Sequence, residues 1–325
     1  MLLARKILSL IILILVVFIR NSALGQEKGS LEGAKGTVNA VAFSANGEWV
    51  ATGDCYQKVI VWDVRSKMII TTFTSNSFCK TSVAFSPDSQ LLAASSIDKT
   101  VRLWKTGSWK ERAIFQGPNS FTALAFSHDG KTLAAGTWEG KIPNNGTGLV
   151  KLWDTRSLRE INGWKCHSNY LTAIAFSPYD RTVATASMDH TAKLWRGSTG
   201  KERFTLPGNG REKLSLGFSF DGKLLAIGTA FGEVELWDVD SGKQLSTLHV
   251  EGFGITQVEF LPSGKILAVA GDRDLQLWNV QTRKLERVLE GHRTTIRSLA
   301  LSPDGHTMAT GGDGLGEIKL WDLGQ

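Results

Sequence analysis

The stretch Val38-Asn39-Ala40-Val41-Ala42-Phe43-Ser44-Ala45-Asn46-Gly47 decides how the whole chain is read. Its first six residues have the two-residue period of a β-strand and end on an aromatic, and the next four are turn formers. The same junction recurs along the sequence. Phe43 is followed in this role by Phe85, Phe126, Phe176, Phe218, Phe260 and, in the seventh place, Leu301. The turn after each repeats its chemistry, from Ser86-Pro87-Asp88-Ser89 and Ser127-His128-Asp129-Gly130 to Ser302-Pro303-Asp304-Gly305. A second marker, tryptophan, closes each unit at Trp62, Trp104, Trp153, Trp195, Trp237, Trp278 and Trp321. Six of the seven stand 18 to 20 residues after the first marker; Trp153 stands 27 after Phe126.

Between the markers lies a strand of small residues, such as Leu133-Ala134-Ala135-Gly136, and then a strand ending on the tryptophan, such as Val150-Lys151-Leu152-Trp153. A fourth strand pattern, exemplified by Lys284 to Leu289, precedes each unit. Four short strands in about 42 residues is the propeller period, because one such sheet buries both faces only when stacked between neighbours. The expected fold is therefore all-β: a seven-bladed β-propeller of four-stranded antiparallel blades. Composition agrees, with 34 Gly and only 7 Pro in 325 residues and 42% hydrophobic residues, as many tight turns around a core require.

These residues resemble the WD-repeat family. Trp-Asp itself stands at Trp62-Asp63, Trp153-Asp154, Trp237-Asp238 and Trp321-Asp322, and Gly-His at Gly291-His292. The resemblance implies a structural tetrad of His, Ser or Thr, Asp and Trp. By position these are His167, Thr185, Asp189 and Trp195 in repeat 4, and His292, Thr310, Asp313 and Trp321 in repeat 7. Asp313 follows its hydroxyl partner one residue sooner than Asp189 does. Repeat 2 keeps only Asp98 and Trp104, and repeat 5 has Ile227 and Phe231 where polar members would sit, so apolar packing is expected there. Ser30-Leu31-Glu32-Gly33 matches Val288-Leu289-Glu290-Gly291, and the chain stops four residues after Trp321. The segment around Lys28 to Glu32 is thus expected to supply the missing strand of the seventh blade and to close a monomeric ring.

Residues 1–25 differ from the rest. Arg5 and Lys6 precede an apolar run from Ile7 to Ile19, and Ala23 and Gly25 follow. This reads as a secretory signal cleaved before Gln26, leaving residues 26–325 as the propeller; the alternative is a membrane anchor at residues 7–19. The expected location is extracytoplasmic, secreted or periplasmic, with a membrane involved only if the segment stays uncleaved. Arg5, Lys6 and Arg20 carry three of the formal +6 charges and no acid lies among them, so +3 remains. That is no footprint of a nucleic-acid binder.

Enzymatic chemistry needs polar groups converging on one cleft. Of the six His, His167 and His292 belong to tetrads, His128 and His306 lie in turns of the opposite face, and His190 and His249 stand apart. No metal-spaced Cys/His set and no phosphate-binding glycine loop is present, so no catalytic residue, cofactor or metal is expected. Cys55 and Cys79 fall in loops expected to share one face, where a disulfide or two separate thiols are both open. Asn145-Gly146-Thr147 matches an N-glycosylation acceptor, but an Asn-Gly turn is the expected reading unless the host is eukaryotic. Repeat 3 carries a turn, Thr137 to Gly148, about eight residues longer than its counterparts. On that face Tyr56, Ile97, Trp138, Trp164, Tyr170, Met188, Phe231 and Arg273 form a candidate surface for an unidentified protein or peptide. The expected function is a non-catalytic interaction scaffold. A small-ligand or glycan binder using the channel mouth is the alternative, and a propeller enzyme is a more distant one.

Overall fold

Each repeat folds into one sheet, and the seven sheets run in chain order around a central channel. The computed structural model describes residues 27–74, 79–139, 146–250 and 254–324. Blade 4 is representative: an inner strand Leu171–Phe176, then Val183–Ser187, Ala192–Arg196 and an outer strand Lys201–Leu206, each antiparallel to the last. Burial explains the composition of each strand. The second strands are the most buried, Leu91–Ser96 at every residue, because neighbouring blades cover both of their faces. Small side chains are what fits near the axis of the ring. The outer strands, such as Lys110–Gln116, are mostly exposed and correspondingly polar.

Aromatic contacts join one blade to the next. Phe73 on the outer strand of blade 1 stacks on Trp104 of blade 2 at 4.5 Å, and Phe115 of blade 2 stacks on Trp153 of blade 3 at 4.8 Å. The turn chemistry is equally regular. Ser44, Ser86, Ser127 and Ser219 each donate a side-chain hydrogen bond to Asn46, Asp88, Asp129 or Asp221 two residues on. The long turn of repeat 3 is partly built into the sheet. Its strands extend to Thr132–Glu139 and Thr147–Asp154, with Trp138 opposite Gly148 and Glu139 opposite Thr147. Residues 140–145, including Asn145, lie outside the described residues, as does the signal-like segment with its anchor alternative at residues 7–19.

The N-terminal strand Glu27–Ser30 completes blade 7 by pairing with Ile318–Asp322. It copies the outer strands of other blades in detail. Glu111, Glu160 and Glu202 stand opposite Trp104, Trp153 and Trp195, and pair with Arg102, Lys151 and Lys193 at 2.8, 2.8 and 2.7 Å. In blade 7, Glu27 stands opposite Trp321 and meets Lys319 at 2.6 Å. Leu31, 1% exposed, then enters the core between blades 7 and 1 beside Val38, Ile318 and Leu320.

Cys55 and Cys79 are joined as a disulfide between the second turn of blade 1 and the link to blade 2, while Cys166 is a buried thiol. Burial first, and then the nearby charge of Asp189, pushes the Cys166 thiol up to about 12. Two outcomes are expected. Leu31→Ala should lose about 2–4 kcal/mol in denaturant unfolding, with Glu27→Ala nearer to wild type because surface ion pairs contribute little. Thiol titration of denatured, unreduced protein should find a single reactive thiol, and three after reduction.

Candidate functional site

The scaffold that presents the loops is pinned by polar groups around the tryptophans. In blade 4, His167 Nδ1 lies 2.9 Å from Asp189, His167 Nε2 lies 2.8 Å from Thr185 Oγ1, and Trp195 Nε1 donates to Thr185 at 2.9 Å. Burial opposes the Asp189 charge. Hydrogen bonds from His167, Thr191 and the Ser168 backbone outweigh that and hold its carboxyl far below the usual range.

Blade 7 keeps three members and changes the fourth. His292 Nε2 lies 2.6 Å from Thr310 Oγ1, which also accepts from Trp321 Nε1 at 2.7 Å. The acid is Glu317, 3.0 Å from His292 Nδ1, and the assignment of Asp313 to this tetrad is corrected. Glu317 immediately precedes the third strand, the place held by Thr191 in blade 4, and a longer side chain reaches the imidazole from there. The Arg293 backbone N–H donates to Glu317 just as that of Ser168 donates to Asp189. Asp313 instead accepts from Thr37 at 2.6 Å and from Arg297 at 3.1 and 2.6 Å, tying blade 7 to the start of blade 1.

Blade 5 does not rely on apolar packing, contrary to expectation. Lys213 and Glu235 are fully buried and 2.8 Å apart, and Glu235 accepts from Trp237 Nε1 at 3.2 Å and from the Asn209 backbone at 3.0 Å. Gly208, at φ +56, leaves the space this pair occupies, since a Cβ there would collide with Glu235 and Lys213. A buried pair of this kind is destabilising to break, because the remaining charge is left unpaired. Repeat 2 is packed as expected: Asp98 serves its own turn through Thr100 while Trp104 stacks on Phe73.

The turns between second and third strands, with the links between blades, form one face. Tyr56, Ile97, Tyr170, Phe231 and Arg273 are exposed there, and Trp138 and Met188 are half-buried. Tyr56 and Phe231 are each 59% exposed, too much for core side chains. Phe231 is partly covered by the Arg211 guanidinium, 4.7 Å from its ring. Trp164 is not part of this surface. It sits between blades 3 and 4 with its ring 5.8 Å from Trp195 and against Gly200, because the outer strand of one blade shields the tryptophan of the next. Leu315, 59% exposed on the same face of blade 7, was missed by sequence reasoning. Its signal was available in the extra turn residues of Gly314-Leu315-Gly316.

The channel has two unlike ends. Towards the loop face it is lined by polar groups such as Asn39, Ser82, Thr122, Thr172 and Arg297. Towards the opposite face its side chains are mainly apolar, with Phe43, Phe85, Phe176 and Phe218 among them, beside Gln257. Glu259 stands in this apolar half. Burial pushes its carboxyl up to about 7 against a single opposing hydrogen bond, donated by the Leu301 backbone at 3.2 Å. Among the described residues no group of three His, Cys, Asp or Glu side chains could hold a metal ion.

Comparison with known proteins agrees with this geometry. The profile described as "WD domain, G-beta repeat" matches residues 25–63, 67–105, 109–154, 158–196, 242–279 and 283–322. The chain belongs to the WD-repeat family. The repeat left unmatched is blade 5, where Lys213 and Glu235 have replaced the usual partners of the tryptophan. Among relatives, this WD-repeat chain is 29% identical to telomerase protein component 1 of Rattus norvegicus, over 92% of this chain and 11% of that protein. It is 31% identical to nuclear distribution protein PAC1 of Arthroderma benhamiae, over 48% and 36%. It is 26% identical to the transcriptional corepressor LEUNIG_HOMOLOG of Arabidopsis thaliana, over 86% and 34%. The chain thus spans between about a tenth and about a third of the length of these relatives. They also correct the expected location. Proteins named for telomerase, nuclear distribution and transcriptional corepression work inside the cell and are not secreted, which overturns the extracytoplasmic placement.

Two measurements check the polar framework. Thr310→Val should cost about 1–3 kcal/mol by stranding His292 Nε2 and Trp321 Nε1, whereas Asp313→Asn should leave that tetrad intact. The raised Glu259 carboxyl sets a pH dependence. The folded protein keeps a proton there that the unfolded chain releases near 4.5, so this contribution to stability is lost as pH rises through about 7. Melting curves of Glu259→Ala should therefore gain on wild type as pH is raised across that window.

Proposed function

We propose that this WD-repeat propeller is a non-catalytic scaffold that holds a protein or peptide partner on the face built by its second turns and inter-blade links. One observation carries the reading. Tyr56, Ile97, Tyr170, Phe231, Arg273 and Leu315 come from six different blades and are all exposed on that one face. Aromatic and Arg groups of this kind are enriched at the centres of protein interfaces. Rigid strands beneath variable loops suit the task, because little conformational entropy is lost when a preformed surface docks. Family membership supports the same reading, since WD-repeat proteins bind protein partners.

The test is crosslinking capture of partners from the native host by wild-type protein and by Tyr170→Ala, Phe231→Ala and Trp138→Ala. Loss of the same partner by at least two of these variants, each with an unaltered melting temperature, is the expected result. Unchanged capture by all three would overturn the assignment of this face.

A further inference from the structure

At the position before the aromatic marker six blades carry a minimal side chain: Ala42, Ala84, Ala125, Ala175, Gly217 and Ala300. Blade 6 carries Glu259. The fold plainly accepts alanine there, and even a half-buried carboxylate gives up hydration that a partner must replace. Nothing in the apolar half of the channel does so: every other lining residue is uncharged, from Val41 and Ala42 to Leu299 and Ala300. The charged groups on the inner strands beside it are engaged elsewhere. Lys213 is held by Glu235 and Arg297 by Asp313. Of the two carboxyl oxygens, Oε2 accepts from the Leu301 backbone.

We propose that the phenylalanine-lined end of the channel binds a small organic cation, an alkylammonium or quaternary ammonium group, through the Glu259 carboxylate. The cavity is about 440 Å³ and opens on the face opposite the loop surface, past Pro178 and Phe220. That volume suits a small molecule rather than a polypeptide. Phe43, Phe176, Phe218 and Phe220 line it, and aromatic faces attract a cation that has shed its water. The other departure from alanine is on the adjacent blade. A Cβ at Gly217 would come within 2.9 Å of the Val258 carbonyl, so glycine lets the inner strands of blades 5 and 6 approach closely at this end of the channel. A single carboxylate among phenylalanine and aliphatic side chains, with Gln257 beside it, selects for one positive charge on an apolar body. Because burial favours the protonated acid up to about pH 7, a bound cation must displace that proton, and affinity rises with pH.

The probes are choline and its uncharged carbon isostere 3,3-dimethyl-1-butanol, titrated calorimetrically into the full chain at about pH 6 and about pH 8.5. Saturable choline binding is expected at the higher pH, weakened about tenfold at the lower as the carboxylate is protonated. The isostere should bind at least about tenfold more weakly than choline. Glu259→Gln and Glu259→Ala, the latter carrying the residue found in five other blades, should lose choline binding while melting as folded proteins. Absence of saturable binding, equal binding of the isostere, or unchanged binding in Glu259→Gln would each overturn the proposal. The pH and isostere comparisons need no variant, so they decide even if a substitution perturbs the fold. Tyr170→Ala and Phe231→Ala should leave choline binding unchanged, which separates this site from the loop face.

Discussion

Pairing of Glu27–Ser30 with Ile318–Asp322 brings the two ends of a 300-residue ring into one sheet, and the other blades depend on it. A four-stranded blade has two apolar faces and can bury them only against neighbours, so an open ring would leave two faces and two sheet edges in water. The closing strand meets this requirement with the same devices used elsewhere. Glu27 stands opposite Trp321 and pairs with Lys319, as Glu111, Glu160 and Glu202 pair with their basic partners. Leu31 then carries the core of blade 7 into that of blade 1.

Within the closed ring the tryptophans that end the third strands of blades 4 to 7 each donate their indole N–H, and the blades accept it in different ways. Blades 4 and 7 use a threonine backed by an imidazole and an acid, although the acid comes from two different places in the turn. Blade 5 uses Glu235 with Lys213, and blade 6 uses Gln276, which accepts from Trp278 at 2.9 Å. The recurring constraint is a buried donor in need of an acceptor, and any geometry that supplies one preserves the blade. This tolerance frees the turns above the tetrads to vary without loss of the frame.

Function follows from that division of labour. The loop face gathers exposed side chains from six blades onto a rigid ring, a surface suited to a macromolecular partner. The opposite end of the channel is lined by phenylalanines and marked by one acid, a setting suited to a small cation. The partner proposed for the loop face and the cation proposed for the channel would therefore occupy separate places on one frame.

Much of the fold was legible in the linear sequence because propeller packing is periodic: the strand-ending aromatics, the Ser-to-Asp turns and the tryptophans repeat wherever a blade repeats. Closure was legible too, since Ser30 to Gly33 repeats Val288 to Gly291. Departures from the period were not. Spacing alone pointed to Asp313, because only the path of the turn shows that Glu317 reaches His292. Ile227 and Phe231 suggested apolar packing in blade 5, because the Lys213–Glu235 pair joins residues 22 apart that meet only when the sheet forms. Trp164 was taken for surface because its outer strand looks exposed until the next blade lies against it. The apolar run from Ile7 to Ile19 suggested export, a matter of cellular address that no packing rule settles, and relatives overturned it. Sequence by itself determined the number of blades, their order and their closure, since these follow from local periodicity. Tertiary structure alone decided which polar groups pair, which aromatics face water and that Glu259 is the one charged side chain among those lining the phenylalanine end of the channel, since these depend on distances between separate strands and blades.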